Sequence, residues 1–358
     1  MQTLRVGILL SCVLVGCSSN TFSGSSKKGK PAGSKATTTN GDKTDSGDIG
    51  TGSENSKVFV VDTYKSGIDM VWIIDNSGSM SEEIEQVKTN FSRFVTSLSG
   101  ITDMNVSLIT CTGAGMGLCI DPSEFAAGKV NVINTEVGSY NPLAMLIGAL
   151  CPPSESIVSE TAEDTTLCGE KANSDVLEDN FGLPGEFWEY INPPVLGSLD
   201  KAFRKDAKKV FVVVSDENSF NFGSSEFKRV ADKKLGKDNY SFFGFITMAK
   251  EVTACSSYIK GTAYIELSKQ VNGGVFDICE SDWSKNFDTL TKGVTEEARR
   301  TFVIEGGFGK IVSVTLNGRA LSSSEYVVSG NSVSIAKEVA LAAGAEVRIS
   351  YELAQSLE

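Results

Sequence analysis

The chain has 358 residues, 41% of them hydrophobic and 22% charged, which is the balance of a globular protein with room for about two folded units. Lys and Arg number 33 against 45 Asp and Glu, a net charge of −12, and no basic stripe stands out, which argues against binding a nucleic-acid backbone. Histidine is absent, which removes Ser-His-Asp and Cys-His catalysis, histidine-ligated zinc and a histidine pH switch and leaves only unusual enzymes. With no evident general base apart from Glu217 for a metal-assisted hydrolase, no enzyme is expected.

Residues 1–17 read MQTLRVGILLSCVLVGC. Arg5 precedes an apolar run, Val6 to Val15, too short to span a bilayer as a mature helix. Leu14-Val15-Gly16-Cys17 resembles the bacterial lipobox. That resemblance implies that 1–17 is a lipoprotein signal with Cys17 as the lipidated residue. Ser18 and Ser19, with no aspartate next, imply sorting to the outer membrane, lipid-anchored, on its periplasmic face or at the cell surface. Residues 18–56 hold nine Ser, seven Gly and six Thr, with Phe22 the single aromatic, too little apolar surface to offset ordering entropy. They read as a flexible tether reaching roughly 30–40 Å.

Of eight cysteines, Cys12 leaves with the signal and Cys17 carries lipid. Six remain: Cys111, Cys119, Cys151, Cys168, Cys255 and Cys279. An even number in an exported chain points to disulfides, and six cysteines allow fifteen pairings. Sequence proximity favours Cys111 with Cys119, Cys151 with Cys168 and Cys255 with Cys279. No close CxxC pair supports thiolate metal binding.

DMVWIID (69–75) has the pattern of a strand buried on both faces of a parallel sheet. It ends in Asn76-Ser77-Gly78-Ser79-Met80. A helix follows, with Ser81 as cap, Glu82 and Glu83 in the first turn, and Ile84, Val87, Phe91, Phe94, Val95 and Leu98 at helical spacing. MNVSLIT (104–110) and VNVIN (130–134) read as strands, LAMLIGAL (143–150) as a helix stopped by Cys151-Pro152-Pro153. KKVFVVVSDE is the clearest strand, ending in Ser215-Asp216-Glu217. A helix over 224–235, a strand over 240–247, a helix over 263–271 and a closing helix marked by Trp283, Phe287, Leu290 and Val294 complete the pattern. This alternation predicts an α/β fold, a doubly wound mostly parallel sheet, over 57–299. Beyond residue 300, short Val/Ile-rich runs punctuated by Asn-Gly and Ser-Gly-Asn predict a small all-β, sandwich-like module over 300–358, short for a full sandwich.

Asp75-Asn76-Ser77-Gly78-Ser79 is a DxSxS sequence at the end of a buried strand. A carboxylate and two hydroxyls on such a turn form a hard-oxygen nest suited to Mg²⁺ or Mn²⁺. The motif, with its flanking strand and helix, resembles the von Willebrand factor A (VWA) domain and its metal-ion-dependent adhesion site. The resemblance implies a Rossmann-like sheet with its first and fourth strands adjacent. It further implies that Ser77 and Ser79 bind the metal directly, with Asp75 and Asp216 acting through water or through the serines. A further ligand, usually threonine, is implied from a middle loop, and Thr135 and Ser139 both lie at a plausible place. In a subset of bacterial A-domain lipoproteins a Gly-Glu precedes an FRxDA sequence, and here Gly185-Glu186 precede Phe203-Arg204-Lys205-Asp206-Ala207. The stretch TFVIEGGFGKIVSVTLNG resembles the closing region of A-domain lipoproteins from predatory and social Gram-negative bacteria. Glu217, Glu186 and Trp188 are candidates for a ligand rim, with a solvated strand-end acid the alternative for Glu217. Trp72 reads as core.

Two functions compete. One is a membrane-anchored, divalent-metal-dependent protein-binding module for adhesion or envelope assembly, whose open metal position takes an acidic side chain of a protein partner. The other is a metal-independent structural or scaffold lipoprotein of an envelope complex.

Overall fold

A computed structural model describes residues 54–64, 66–112, 119–120, 130–151, 166–168, 170–171, 195–220, 222–237, 239–248 and 259–353. Cys17, the tether up to residue 53, Cys255, Glu186 and Trp188 lie outside them. In chain order the elements are β1 (Glu54–Val60), β2 (Gly67–Ile74), α1 (Ser81–Ser99), β3 (Met104–Thr110), β4 (Val130–Asn134), α2 (Pro142–Leu150), β5 (Thr166–Leu167), β6 (Glu170–Lys171), α3 (Ser198–Ala202), β7 (Ala207–Ser215), α4 (Ser224–Leu235), β8 (Tyr240–Ile246), α5 (Thr262–Gln270), β9 (Asn272–Asp277) and α6 (Ser284–Arg300). Then come β10 (Thr301–Val303), β11 (Lys310–Leu316), β12 (Arg319–Ala320), β13 (Tyr326–Ser329), β14 (Ser332–Ile335) and β15 (Glu346–Glu352).

Six strands form one parallel sheet in the order β4-β3-β2-β7-β8-β9. The first and fourth strands of this sheet, β2 and β7, are neighbours, paired from Gly67↔Ala207 to Ile74↔Val214. This is the doubly wound order, and it puts the topological switch point at the carboxyl ends of β2 and β7. The continuous apolar runs of these two strands follow from burial on both faces. Val71, Ile73, Phe211 and Val213 point to a core shared with α2, α4 and α5. Met70, Trp72, Ile74, Val210, Val212 and Val214 point to the opposite core, under α1 and α6. Trp72 is fully buried, its ring stacked on Phe287 at 5.6 Å and met edge-on by Phe91 and Phe94.

At the amino end of the sheet the FRKDA segment is a staple. Arg204 donates to Asp69 (2.7 Å) and to Asp103 (2.6 Å), and its backbone N–H reaches Asp69 as well (2.6 Å). Lys209 pairs with the same Asp69 and donates to the Arg204 and Ala207 carbonyls. Cys111 is bonded to Cys119 (Cα–Cα 4.7 Å) and Cys151 to Cys168 (5.8 Å), the two pairings that proximity favoured. Cys279 is also disulfide-bonded.

The second architecture is antiparallel: sheets β1-β15-β11-β12 and β10-β14-β13 close over one core that includes Phe59, Phe302, Val314, Val333 and Val347. Asn317 and Gly318, both at positive φ (49° and 80°), make the two-residue turn from β11 to β12. A strand from the amino-terminal side, β1, completes this module by pairing Glu54–Val60 with Glu352–Glu346. The carboxyl-terminal run is therefore short for a sandwich because one strand of it comes from the opposite end of the folded region. Among the described residues no helix is long and apolar enough to cross a membrane.

Candidate functional site

The carboxyl ends of β2 and β7 bring the sequence-predicted residues together. Asp75 follows β2 and Asp216 follows β7, and both are buried, at 0% and 1% exposure. The Asp75 carboxylate accepts from the Ser77 backbone N–H (2.9 Å) and from the Ser215 hydroxyl (3.0 Å). The hydroxyls of Ser77 and Ser79 lie 3.1 Å apart. Ser139 donates to Ser77 across 3.0 Å, and Ser79 is hydrogen-bonded to Asp216. Four serines and two aspartates thus form one hydrogen-bonded set drawn from three strand ends.

Local sequence explains the convergence. Asn76 clamps the middle loop reciprocally: its N–H donates to the Val137 carbonyl (3.0 Å) and its side-chain oxygen accepts from the Val137 N–H (2.7 Å). That clamp delivers Ser139, and not Thr135, to the turn. Thr135 is buried below, its N–H on the Thr110 carbonyl and its hydroxyl near the Glu136 carbonyl. The Asp216 carbonyl accepts from Thr247 (2.6 Å), and Asn218 caps α5 through the Ala263 N–H (2.9 Å), so the segment after β7 is held from β8 and α5 as well.

The electrostatics are one-sided. Burial, with Asp216 beside it, pushes Asp75 up to about 7 even though the Ser77 and Ser215 hydrogen bonds oppose the rise. Burial also raises Asp216, Glu217 and Glu83 above the usual carboxylate range. Tyr140 is pushed up to about 12 by burial and by Glu217, to which it is hydrogen-bonded. Glu83, Ser215 and Tyr140 are site residues that sequence reasoning did not single out. Glu83 read as a first-turn acid favouring the helix dipole, yet it is only 5% exposed. Its place just after the DxSxS turn was the available signal. Glu217, at 9% exposure, is no solvated strand-end acid; it sits against Tyr140 and Ser139.

The expected Mg²⁺ or Mn²⁺ does not survive this geometry. Among the described residues no group of three or more His, Cys, Asp or Glu side chains is placed to hold a metal ion. The acids surround the serine turn without three of them converging on one point. The Asp75 oxygens are already committed to Ser77 and Ser215. Donor types fit a divalent cation; donor placement does not.

No family model matches the chain, and no curated protein matches it. Among solved structures it is similar to "von Willebrand factor type A from Catenulispora acidiphila", at 12% identity and a TM-score of 0.31. That alignment takes in 84% of this chain and 61% of the other, so less than two thirds of that protein is spanned. The VWA-like fold rests on the strand order β4-β3-β2-β7-β8-β9, with β2 and β7 adjacent and the serine–aspartate set at their carboxyl ends.

Proposed function

We propose that this chain is a metal-independent protein-docking module of an envelope lipoprotein, anchored at Cys17 in the outer membrane and engaging its partner through the crest formed after β2 and β7. The observation that carries the reading is the closed serine–aspartate set at the switch point of the sheet, where ligands of open α/β sheets bind. Ser77, Ser79, Ser139, Ser215, Asp75 and Asp216 hold one another in place, so the surface is ordered before a partner arrives and needs no ion to assemble it. Preorganisation of this kind lowers the entropy lost on association. The acidic partner expected from the sequence depended on an open metal position and goes with the metal. The two-layer lipobox-and-tether reading of residues 1–56 supplies the anchor and the reach.

The test is photo-crosslinking in cells. Gly78 sits exposed on the rim with open space where a side chain would project, so a benzoylphenylalanine fits there. Ile101, exposed beyond the far end of α1, serves as the control position. A discrete protein adduct is expected from position 78 and not from 101, persisting in chelator and pelleting with membranes until Cys17→Ser releases it. No adduct specific to position 78, or one that chelator abolishes, would overturn the reading.

A further inference from the structure

The carboxyl end of β3 is tied to both halves of the crest through Thr110. Its hydroxyl donates to the Ile74 carbonyl (3.0 Å), one residue before Asp75, and its carbonyl accepts from the Thr135 N–H (3.1 Å), where the middle loop begins. The Thr112 N–H donates to the Asn134 side-chain oxygen (2.8 Å), which fastens the end of β4 to the end of β3. From Asn134 the chain runs directly to Val137, which Asn76 holds, and on to Ser139, whose hydroxyl rests on Ser77.

Between Thr110 and Thr112 stands Cys111, and its disulfide partner Cys119 is followed by Ile120. Ile120 is fully buried in the core that also holds Ile74 and Met80, which flank the serine turn on either side. Its N–H returns to the Cys111 carbonyl (2.9 Å), and Thr112 and Ile120 form a parallel bridge. The covalent bond therefore joins a segment rooted in the core beneath the turn to the strand end that carries the middle loop. Hydrogen bonds at a strand end open locally at little cost in free energy, whereas a cross-link limits how far the two segments separate. The other printed pair offers a contrast: Cys151–Cys168 lies beyond the far end of α2, a nine-residue helix about 14 Å long whose near end adjoins Asn141.

We infer that the Cys111–Cys119 disulfide sets the crest and makes it redox-sensitive. Closed, it keeps the ends of β3 and β4 together so that Ser139 stays on Ser77; opened by a dithiol, it releases the middle loop and the docking surface with it. The inference rests on the docking reading above and adds its control. Half-buried Cys119 is the sulfur open to attack, Cys111 being 9% exposed. A thiolate of the dithiol bonds to Cys119, the Cys111–Cys119 bond breaks, and Cys111 leaves as a thiolate that takes up a proton. The dithiol's second thiolate then displaces Cys119, which is protonated in turn, so the reagent is oxidised to a disulfide and the chain is reduced by two electrons.

Hydrogen exchange of the full-length lipidated chain in detergent, resolved to single amides, tests the device without a partner. The amide to follow is that of Val137, which Asn76 holds; amides in the middle of β7 report global stability. Cys111→Ser/Cys119→Ser is expected to speed exchange at Val137 by about tenfold or more and at β7 by less than about twofold. Cys151→Ser/Cys168→Ser is expected to leave Val137 within about twofold of the parent. Unchanged exchange at Val137, or an equal gain in the two cysteine pairs, would overturn the inference. Should the first pair fail to fold, dithiothreitol added to the folded parent decides, with the same gain at Val137 expected and its absence overturning the inference. Asn134→Ala removes the acceptor for Thr112 and is expected to free Val137 with the disulfide intact, whereas Asn134→Asp keeps an acceptor oxygen and the protection; Ala and Asp behaving alike would break the path and overturn the inference. In cells, the position-78 adduct is expected to vanish in Cys111→Ser/Cys119→Ser. An adduct that persists there would overturn control by the disulfide and leave the docking reading standing. Its absence from the parent chain would remove the docking reading, and the exchange result would still decide the device.

Discussion

Asp75 carries the site's pH dependence. Its carboxyl is held near 7 in the folded chain, against about 4 in an unfolded one, so between those values the native state keeps a proton that the unfolded state has lost. Stability contributed by the neutral form is therefore complete below about pH 4 and is lost as pH rises towards about 7, levelling off above. By linkage the loss amounts to about 4 kcal/mol at full span. Asp216, also raised by burial, adds a slope of the same sign. Asp75→Asn is nearly isosteric and does not titrate. Urea unfolding across pH 4–8 is expected to show a markedly flatter profile for this variant, and a stability gain over the parent that grows towards pH 7–8. Parallel profiles would show that Asp75 is not the titrating group. Asp75, Ser77, Ser79 and Asp216 were legible because DxSxS and VFVVVSDE mark where buried strands stop and polar chemistry begins. Glu83 and Ser215 were not, since their part in the site exists only once β2 and β7 lie side by side with α1 turned over them. The choice between Thr135 and Ser139 was equally out of reach, because the Asn76–Val137 clamp makes it. A motif specifies donor types and not their convergence, which is how the divalent metal came to be expected.

The same division holds for whole elements. The parallel strands and α1 stand out in the sequence because burial on both faces, or on one helical stripe, leaves an uninterrupted periodic signal. Strand β1 left none: Glu54-Asn55-Ser56 continue the composition of the preceding tether, and only pairing with β15 makes them a strand. Phe59 shows what that pairing contributes. It is buried at 3% exposure between Tyr64 and Phe302, at ring distances of 4.8 and 5.2 Å. Truncating a buried phenylalanine costs about 3–5 kcal/mol through lost transfer energy and the cavity left behind. Phe59→Ala is expected to destabilise by that amount in chemical denaturation, whereas Val60→Ala, one position along and 39% exposed, changes stability by less than about 0.5 kcal/mol. Equal and small effects at both positions would mean that β1 is only the end of the tether.

At the scale of the molecule, α6 joins the two architectures. Its last turn donates into the β module: Arg299 to the Leu341 carbonyl (2.7 Å) and to Asp62 (2.5 Å), Arg300 to the carbonyls of Ala336 (2.7 Å) and Val339 (2.9 Å). One turn earlier Glu297 lies between Lys208 of β7, at 3.6 Å, and Lys337 of the β module, at 3.2 Å. Lys208 is 1% exposed, so its ammonium meets Glu297 out of reach of water. The parallel sheet, its closing helix and the β module therefore share one charge system centred on the buried Glu297. Breaking a buried pair from one side costs about 3–5 kcal/mol, because the remaining buried charge loses its counter-charge. Glu297→Ala is expected to lower stability by this amount. If the two architectures form one cooperative unit, amides of β7 and of β11 in the parent chain will lose hydrogen-exchange protection at the same denaturant midpoint, and both midpoints will fall together in the variant. Exchange in β11 at clearly lower denaturant while β7 stays protected would show instead that the β module opens on its own, and that α6 holds it without coupling it to the crest.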